Sequence, residues 1–341
     1  MKHLTPATDR LVHWYGFGDA KQICRWEGAY CANHFLGSPA FAVHPLEALV
    51  AAGHEIAAVV TQPDRPAGRR RTLSSPPVKQ AADRLGLPVI QPETLRDQHV
   101  IDQLAALRPD LGVVAAYGEI LRKKVLAIPP LGYLNVHPSL LPLHRGPTPV
   151  AGAILAGDQE TGVSVMRLDP GMDSGPLLAQ AVVPLAPDAR AGALTDGLFR
   201  MGARMLVEVL EPYASGVLVP HEQDHQQATY TRLLTKGDGN VDWSLPAIVI
   251  ERMIRAYDPW PTTFTTWHGH VVRIIAARVV GRDPDAALPG TFLGAGESGG
   301  PLVATGGGVL ELRELQPAGG RVMSGDGWLR GRHDAEGRFG V

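Results

Sequence analysis

From about Asn33 to Asp169 the chain alternates short apolar runs with helical stretches, a pattern that few folds accept. "HFLGSPAFAVHPLEALVAAGH" reads as a strand, a Gly37-Ser38-Pro39 turn and a helix closing at Gly53. "EIAAVVTQ" is an apolar strand, and "PPVKQAADRLG" is a helix with proline near its start and Gly86 at its end. "LPVIQP", "LGVVAAYG", "YLNVHPS" and "GVSVMRLD" follow as strands, with helices around "DQHVIDQLAALRP" and "PVAGAILAG". Strands and helices in alternation build a parallel α/β sheet covered on both faces. Open sheets of this kind bind ligands at the carboxyl ends of their strands, where Asn135, His137 and the turn after Leu168 are expected. Next comes a long amphipathic helix in which Leu194, Leu198, Met201, Met205 and Val209 recur every three or four residues, a core-packing stripe. Residues 216–235 are polar and loop-like, a linker. Beyond them "TTFTTWHGHVVRIIAARVV" and "GTFLGAGESGGPLVATGGGVLELRELQP" alternate short strands with glycine-rich turns, the texture of a small separate β-barrel.

A chain of 341 residues has room for two such domains. Its formal charge of −2 neither advertises nor excludes a nucleic-acid partner, since a basic patch can sit in a neutral total. No apolar run approaches the roughly 18 residues a membrane helix needs, so no membrane partner is expected. Cys24 and Cys31 are the only cysteines, too few for a disulfide framework, and a cytoplasmic protein is expected. Residues 1–32 have neither a signal-peptide core nor clear periodicity and are read as a poorly ordered extension.

Two residues apart on a strand, Asn135 and His137 share a side. An imidazole exchanges protons near neutral pH and an amide donates to an oxygen on which charge develops, which suits attack on a carbonyl. Alone, the pair fits a hydrogen-bonded strand end better than a catalytic one. "MRLDPGMDSGPLL" adds Asp169 and Asp173 in a glycine-bearing turn; Asp169 reads as ordinary turn chemistry, while Asp173 can serve the imidazole. Ser139 is either a loop hydroxyl capping backbone or a ligand contact. No common metal-ligand spacing, phosphate loop or GxSxG elbow is present. Arg69, Arg70 and Arg71 sit in a Pro/Gly/Ser loop, as either a solvated tip or a contact for a phosphate backbone.

In this order the segments "TQPDRPAGR", "SPPVKQAADRLGLPVIQP", "AYGEIL", "LNVHPSLLP…RGPTPV", "GDQETGVSVMRLDPGMDSGPLL", "VDWSLPA…IERMIRAYDPWP" and "LQPAGGRVMS" resemble the methionyl-tRNA formyltransferase family from about Phe35 to Arg330. The resemblance implies a Rossmann-like parallel-sheet formyltransferase domain over 33–215, a linker over 216–235, and an OB-fold-like barrel over 236–335 that helps hold tRNA. It implies transfer of the formyl group of 10-formyltetrahydrofolate, as cosubstrate, to the α-amino group of methionyl initiator tRNA; no metal and a monomer are expected. The family's catalytic Asn, His and Asp match Asn135, His137 and Asp173. Its folate site matches Ser139, Leu140, Leu141 and Pro142 on one side, with Ala116, Tyr117, Gly118, Glu119, Ile120 and Leu121 as the pterin strand. The tRNA loop corresponds to Pro66–Leu73, which carries Arg69, Arg70 and Arg71, and Phe41 to an aromatic near the methionyl pocket. Three departures stand out: Pro147-Thr148 where the family has Ala-Ala, His44 in place of a proline, and Asn33-His34 weakening the opening strand or displacing its boundary.

Overall fold

The computed structural model describes residues 12–14, 32–67, 72–281, 283, 286–331 and 336–341. They form two compact units. The first gathers the described residues up to Pro149 with Glu160–Pro184 and Thr195–Thr231; the second gathers Val150–Gln159, Leu185–Leu194 and the described residues from Arg232 to Val341.

Along the chain the elements are β1 (Val12–Trp14), β2 (Ala32–Gly37), α1 (Val43–Ala51), β3 (Glu55–Val60), β4 (Arg65–Ala67), β5 (Thr72–Ser74), α2 (Pro77–Leu85), β6 (Val89–Ile90), α3 (Gln98–Ala106), β7 (Leu111–Ala115), α4 (Lys123–Leu126), β8 (Tyr133–His137), α5 (Pro149–Ala156), β9 (Glu160–Arg167), β10 (Leu177–Pro184) and α6 (Ala191–Ala214). The eight-stranded sheet of the first unit runs β1-β10-β9-β8-β7-β2-β3-β6. From β6 to β8 every pair is parallel, whereas β9, β10 and β1 are antiparallel to their neighbours. The sheet is therefore parallel-dominated and mixed. Apolar runs mark strands but do not encode direction, and the connection from β9 to β10 is too short for a parallel crossover.

The alignment of β8 is fixed from behind. Gly202 of α6 lies against Val136, and a Cβ at residue 202 would come 2.5 Å from Val136 Cγ1 and 2.8 Å from Val163 Cγ2. Only glycine lets the helix approach β8 and β9 so closely. In α6, Leu198, Met205 and Val209 are buried as the periodicity predicts. Asn33 and His34 do not displace β2, which pairs with both β3 and β7; the register to β3 slips at the Asn33/His34 step. Within the stretch read as a poorly ordered extension, Val12–Trp14 is an edge strand paired with Ala179–Ala181; the rest of residues 1–31 lies outside the described residues. The segment read as a linker is built into the first unit as far as Thr231.

The second unit contains α7 (Ala247–Ala256), β11 (Thr263–Trp267), β12 (His270–Val280), β13 (Phe292–Ala295), β14 (Pro301–Ala304), β15 (Val309–Pro317), β16 (Met323–Ser324) and α8 (Gly325–Arg330). Its antiparallel sheet runs β11-β12-β15-β14-β13. The C-terminal residues bridge the two edges, Phe339 to Trp267 and Arg338 to Thr291, so the sheet closes into a small barrel. Trp267 fills it, with ring centroids 4.4 Å from Phe339 and 5.5 Å from Trp328. Among the described residues no helix is long and apolar enough to cross a membrane.

Candidate active site

Tyr133, Asn135 and His137 alternate along one face of β8, and the strand is buried from end to end. Nε2 of His137 lies 3.1 Å from the His144 carbonyl oxygen, an atom that can only accept. Nδ1 lies 3.7 Å from Oδ2 of Asp173. Both ring nitrogens thus face oxygen, Nε2 at hydrogen-bond distance and Nδ1 somewhat beyond it. Asn135 is 8 % exposed, and its amide makes no hydrogen bond among the described residues. The amide is not among the polar atoms sealed from solvent without a partner, so it keeps its hydrogen-bonding capacity at the solvent-reached end of the strand, where a ligand can use it.

Asp173 arrives by an indirect route. Because β9 is antiparallel to β8, Leu168 emerges beside Tyr133, the amino end of β8, where its N–H donates to the Tyr133 carbonyl at 2.7 Å. The segment 169–176 must double back to bring Asp173 to His137, so the turn after Leu168 starts at the opposite end of β8 from the one expected. Asp169 folds the segment on itself, accepting from Gly171 N at 3.0 Å and Ser174 Oγ at 2.8 Å, which is the ordinary turn chemistry read from the sequence. Gly175 passes under the Arg167 carbonyl so closely that a Cβ would sit 2.0 Å from it. Asp173 itself takes φ +48°, unusual for a residue with a side chain. Its Oδ2 accepts from Gly146 N at 2.8 Å.

Two residues that sequence reasoning did not single out surround this carboxylate. Gln223 donates from Nε2 to the carbonyls of Asp173 (2.9 Å) and Gly175 (2.6 Å). Arg145, 2 % exposed, donates to Gln223 Oε1 from Nε (3.2 Å) and Nη2 (2.7 Å). Arg145 is tied into the backbone through Thr229 O and Thr231 N. The signal available for Arg145 was its place in "RGPTPV"; Gln223 lay in a polar stretch that gave none.

The sequence matches the Formyl transferase family over residues 33–210 and the Formyl transferase, C-terminal domain family over 233–333. A methionyl-tRNA formyltransferase of Chloroflexus aurantiacus is 66 % identical over 306 residues, 90 % of this chain and 98 % of that protein. One from a Roseiflexus species is 61 % identical over 298 residues, 87 % of this chain and 91 % of its own. The chain belongs to the methionyl-tRNA formyltransferase family. In fold it is similar to the N-formyltransferase of Helicobacter canadensis, whose structure is a complex with folinic acid and dTDP-3-aminofucose: TM-score 0.60 at 15 % identity, covering 83 % of this chain and 99 % of that one.

The family's expected folate walls separate into groups by orientation. In the Ser139–Pro142 loop, Ser139 is fully buried and its Oγ donates to the Leu143 carbonyl at 2.7 Å, the capping role rather than a free hydroxyl. Leu140 is half-buried. Leu141 is pinned by Ser164 Oγ on its N–H (3.2 Å) and by Gln180 Nε2 on its carbonyl (2.8 Å), and the Pro142 carbonyl accepts from Thr229 N at 3.3 Å. In the segment after β7, Tyr117 and Leu121 turn into the core, and Glu119 accepts from Thr94 Oγ1 (2.7 Å) and Leu95 N (3.0 Å). Ala116, Gly118 and Ile120 remain exposed. Phe41 is half-buried, its ring 4.6 Å from that of Phe199.

On either side of the basic segment, β4 and β5 pair antiparallel. The base of this pair is fixed by Asp64, which accepts from Lys79 Nζ (2.9 Å), Gln91 Nε2 (2.7 Å) and Ser75 Oγ (3.0 Å). Hydrogen bonds from Gln91, Lys79 and Ser75 hold the Asp64 carboxyl below the usual range. Arg69, Arg70 and Arg71 lie outside the described residues. At the family departures, His44 Nε2 pairs with Asp196 at 2.7 Å. Pro147 is exposed, while the Thr148 N–H donates to Thr231 Oγ1 at 3.2 Å, so this step stiffens the rim. Among the described residues no group of three or more His, Cys, Asp or Glu is placed to hold a metal ion.

Proposed function

We propose that this chain transfers the formyl group of 10-formyltetrahydrofolate to the α-amino group of methionyl initiator tRNA, readying it for translation initiation, and that Asn135, His137 and Asp173 carry the chemistry. The observation that supports the assignment most is the unpartnered amide of Asn135 beside an imidazole whose two nitrogens face His144 O and Asp173. The free methionyl amine attacks the formyl carbon, and Asn135 with protonated His137 donates to the oxygen on which negative charge develops. His137 then gives a proton to the leaving N10 nitrogen as the carbon–nitrogen bond breaks. Asp173 takes up, through water, the proton released by the attacking amine. One proton leaves the amine and one reaches N10, so the charge balances and no group is oxidised or reduced.

The exposed Ala116–Gly118–Ile120 edge and the pinned Ser139–Pro142 loop suit the two sides of a flat pterin. The base of the β4–β5 pair at Asp64 suits an arm that presents Arg69, Arg70 and Arg71 to the phosphates of the acceptor end. Phe41 serves the methionyl side chain.

One assay tests the reading. Formyl transfer from 10-formyltetrahydrofolate is measured to methionyl-tRNA, to a sugar amine and to water. Transfer to methionyl-tRNA is expected to dominate. Faster transfer to the sugar, or hydrolysis alone, would overturn the assignment.

A further inference from the structure

We propose that Arg145 and Gln223 form a clamp that holds Asp173 at His137, which makes both of them positioning residues for the reaction; this rests on the role assigned to Asp173 above. The need for a clamp follows from topology. The segment 169–176 leaves β9 beside Tyr133 and has to cross back along β8, and Asp173, midway along it, takes a left-handed backbone conformation that most side chains disfavour. Such a conformation persists only where surrounding contacts fix it. The Gly146 N–H fixes the carboxylate at 2.8 Å, and the carbonyls of Asp173 and Gly175 are fixed by the two hydrogens of one amide nitrogen, Nε2 of Gln223.

The choice of glutamine is informative. Arg145 is a buried cation that forms no ion pair with a carboxylate among the described residues. Its donors go to neutral acceptors instead: Gln223 Oε1, His225 Nδ1 at 3.0 Å and Tyr230 OH at 3.3 Å. A buried guanidinium gains more from a charged acceptor than from a neutral one. Glutamate at 223 would neutralise Arg145 in nearly the same volume. It would also set carboxylate oxygens against the Asp173 and Gly175 carbonyls and supply no donor to either. A residue present only to satisfy Arg145 would be better as glutamate; one that must also grip the loop has to be an amide. Every hydrogen-bonding capacity of the Gln223 side chain is used, two donated and two accepted.

The test compares Gln223→Glu and Gln223→Ala, each in the wild-type and Asp173→Ala backgrounds of the full chain. Readouts are melting temperature, KM for both substrates, kcat, and single-turnover rates at high enzyme concentration. In the wild-type background kcat is expected to fall about 10- to 100-fold, the scale on which a misplaced group costs rate. KM for both substrates is expected to move by less than about threefold, with Gln223→Glu, which keeps an acceptor for Arg145, melting closer to wild type than Gln223→Ala. In the Asp173→Ala background the same substitutions are expected to change the rate by less than about twofold, because their target is gone. Wild-type turnover in Gln223→Glu, or effects that multiply with Asp173→Ala, would overturn the clamp and leave the role of Asp173 standing. Full activity in Asp173→Ala would overturn both. Should Gln223→Ala fail to fold, Gln223→Glu, which keeps the Arg145 acceptor, decides the matter.

Discussion

His34 on β2 and His137 on β8 share one face of the same sheet, with β7 between their strands, and their surroundings differ in kind. His34, Gly112 and Tyr133 lie in one row of the pairing, and with no side chain at Gly112 the imidazole and the phenol meet across it, Nδ1 of His34 3.5 Å from Tyr133 Oη. Nε2 of His34 has no hydrogen-bond partner among the described residues, and burial pushes the ring down to about 4. His137 stands two residue pairs further along that face, at the carboxyl end. There the loops Ser139–Gly146 and 169–176 supply an oxygen to each ring nitrogen. Burial alone turns a histidine into a neutral core residue; burial together with loop-borne acceptors is the setting that the proposed proton transfer by His137 requires. The carboxyl end of a parallel sheet has such loops at hand, while the row at the amino end is closed by strand packing.

The hardest test of that contrast is activity. His137→Ala is expected to lower kcat by about 10²–10⁴-fold, the usual contribution of a positioned acid–base group, and Asn135→Ala by about 10²–10³-fold as an oxyanion donor is lost. Affinity for methionyl-tRNA, measured by filter binding, should stay nearly constant in both. His34→Val should leave kcat within about twofold of wild type. Near-normal turnover in His137→Ala, or a collapse in His34→Val at unchanged stability, would erase the distinction.

Stability against pH probes the other histidine. The folded chain keeps His34 neutral down to about 4, whereas the unfolded chain takes up a proton near the ordinary value of 6.5. Below pH 6.5 the unfolded state therefore binds more protons, and folding free energy is lost as pH falls from 6.5 toward 4; above about pH 7 the group contributes no slope. The full loss is about 3 kcal/mol, of which about 2 kcal/mol falls between pH 7 and pH 5. Urea unfolding of wild type and His34→Val at those two pH values isolates the effect from the carboxylates both share. Equal pH slopes would show that His34 protonates in place.

Much of this was legible in the residues. The β–α alternation gave the parallel core, and the spacing of Asn135 and His137 put them on one strand face. Asn33 and His34 raised doubt about β2 because two polar residues look out of place in a core strand. Yet β2 forms with partners on both sides, since pairing to β3 and β7 depends on backbone and on the apolar Phe35 and Leu36 that follow. Strand direction was not legible, so the doubling back of 169–176 could not be foreseen. Nor was Gln223, because a polar side chain in a polar segment looks the same whether it faces solvent or clamps a loop. Arg145 was hidden for a related reason: a buried arginine satisfied by neutral groups has no charge partner in the sequence to betray it.

Asn33 gives the finest probe of the same contrast. Asn33 and Asn135 are both buried amides on strands of one sheet, but Asn33 Nδ2 donates to the Glu55 carbonyl at 3.2 Å, on the neighbouring strand where the register slips, whereas Asn135 donates to nothing in the described chain. An amide engaged with backbone contributes to the fold; an amide that reaches solvent and bonds nothing in the described chain contributes little to it. Asn33→Ala is therefore expected to destabilise by about 1–2 kcal/mol with kcat unchanged, and Asn135→Ala to leave stability level or slightly raised while kcat falls. Chemical unfolding and steady-state turnover measured on the same two preparations check both halves. Loss of stability in Asn135→Ala equal to that in Asn33→Ala would mean that the β8 amide is bonded within the protein after all, and the reading of Asn135 as a donor to the formyl oxygen would fall with it.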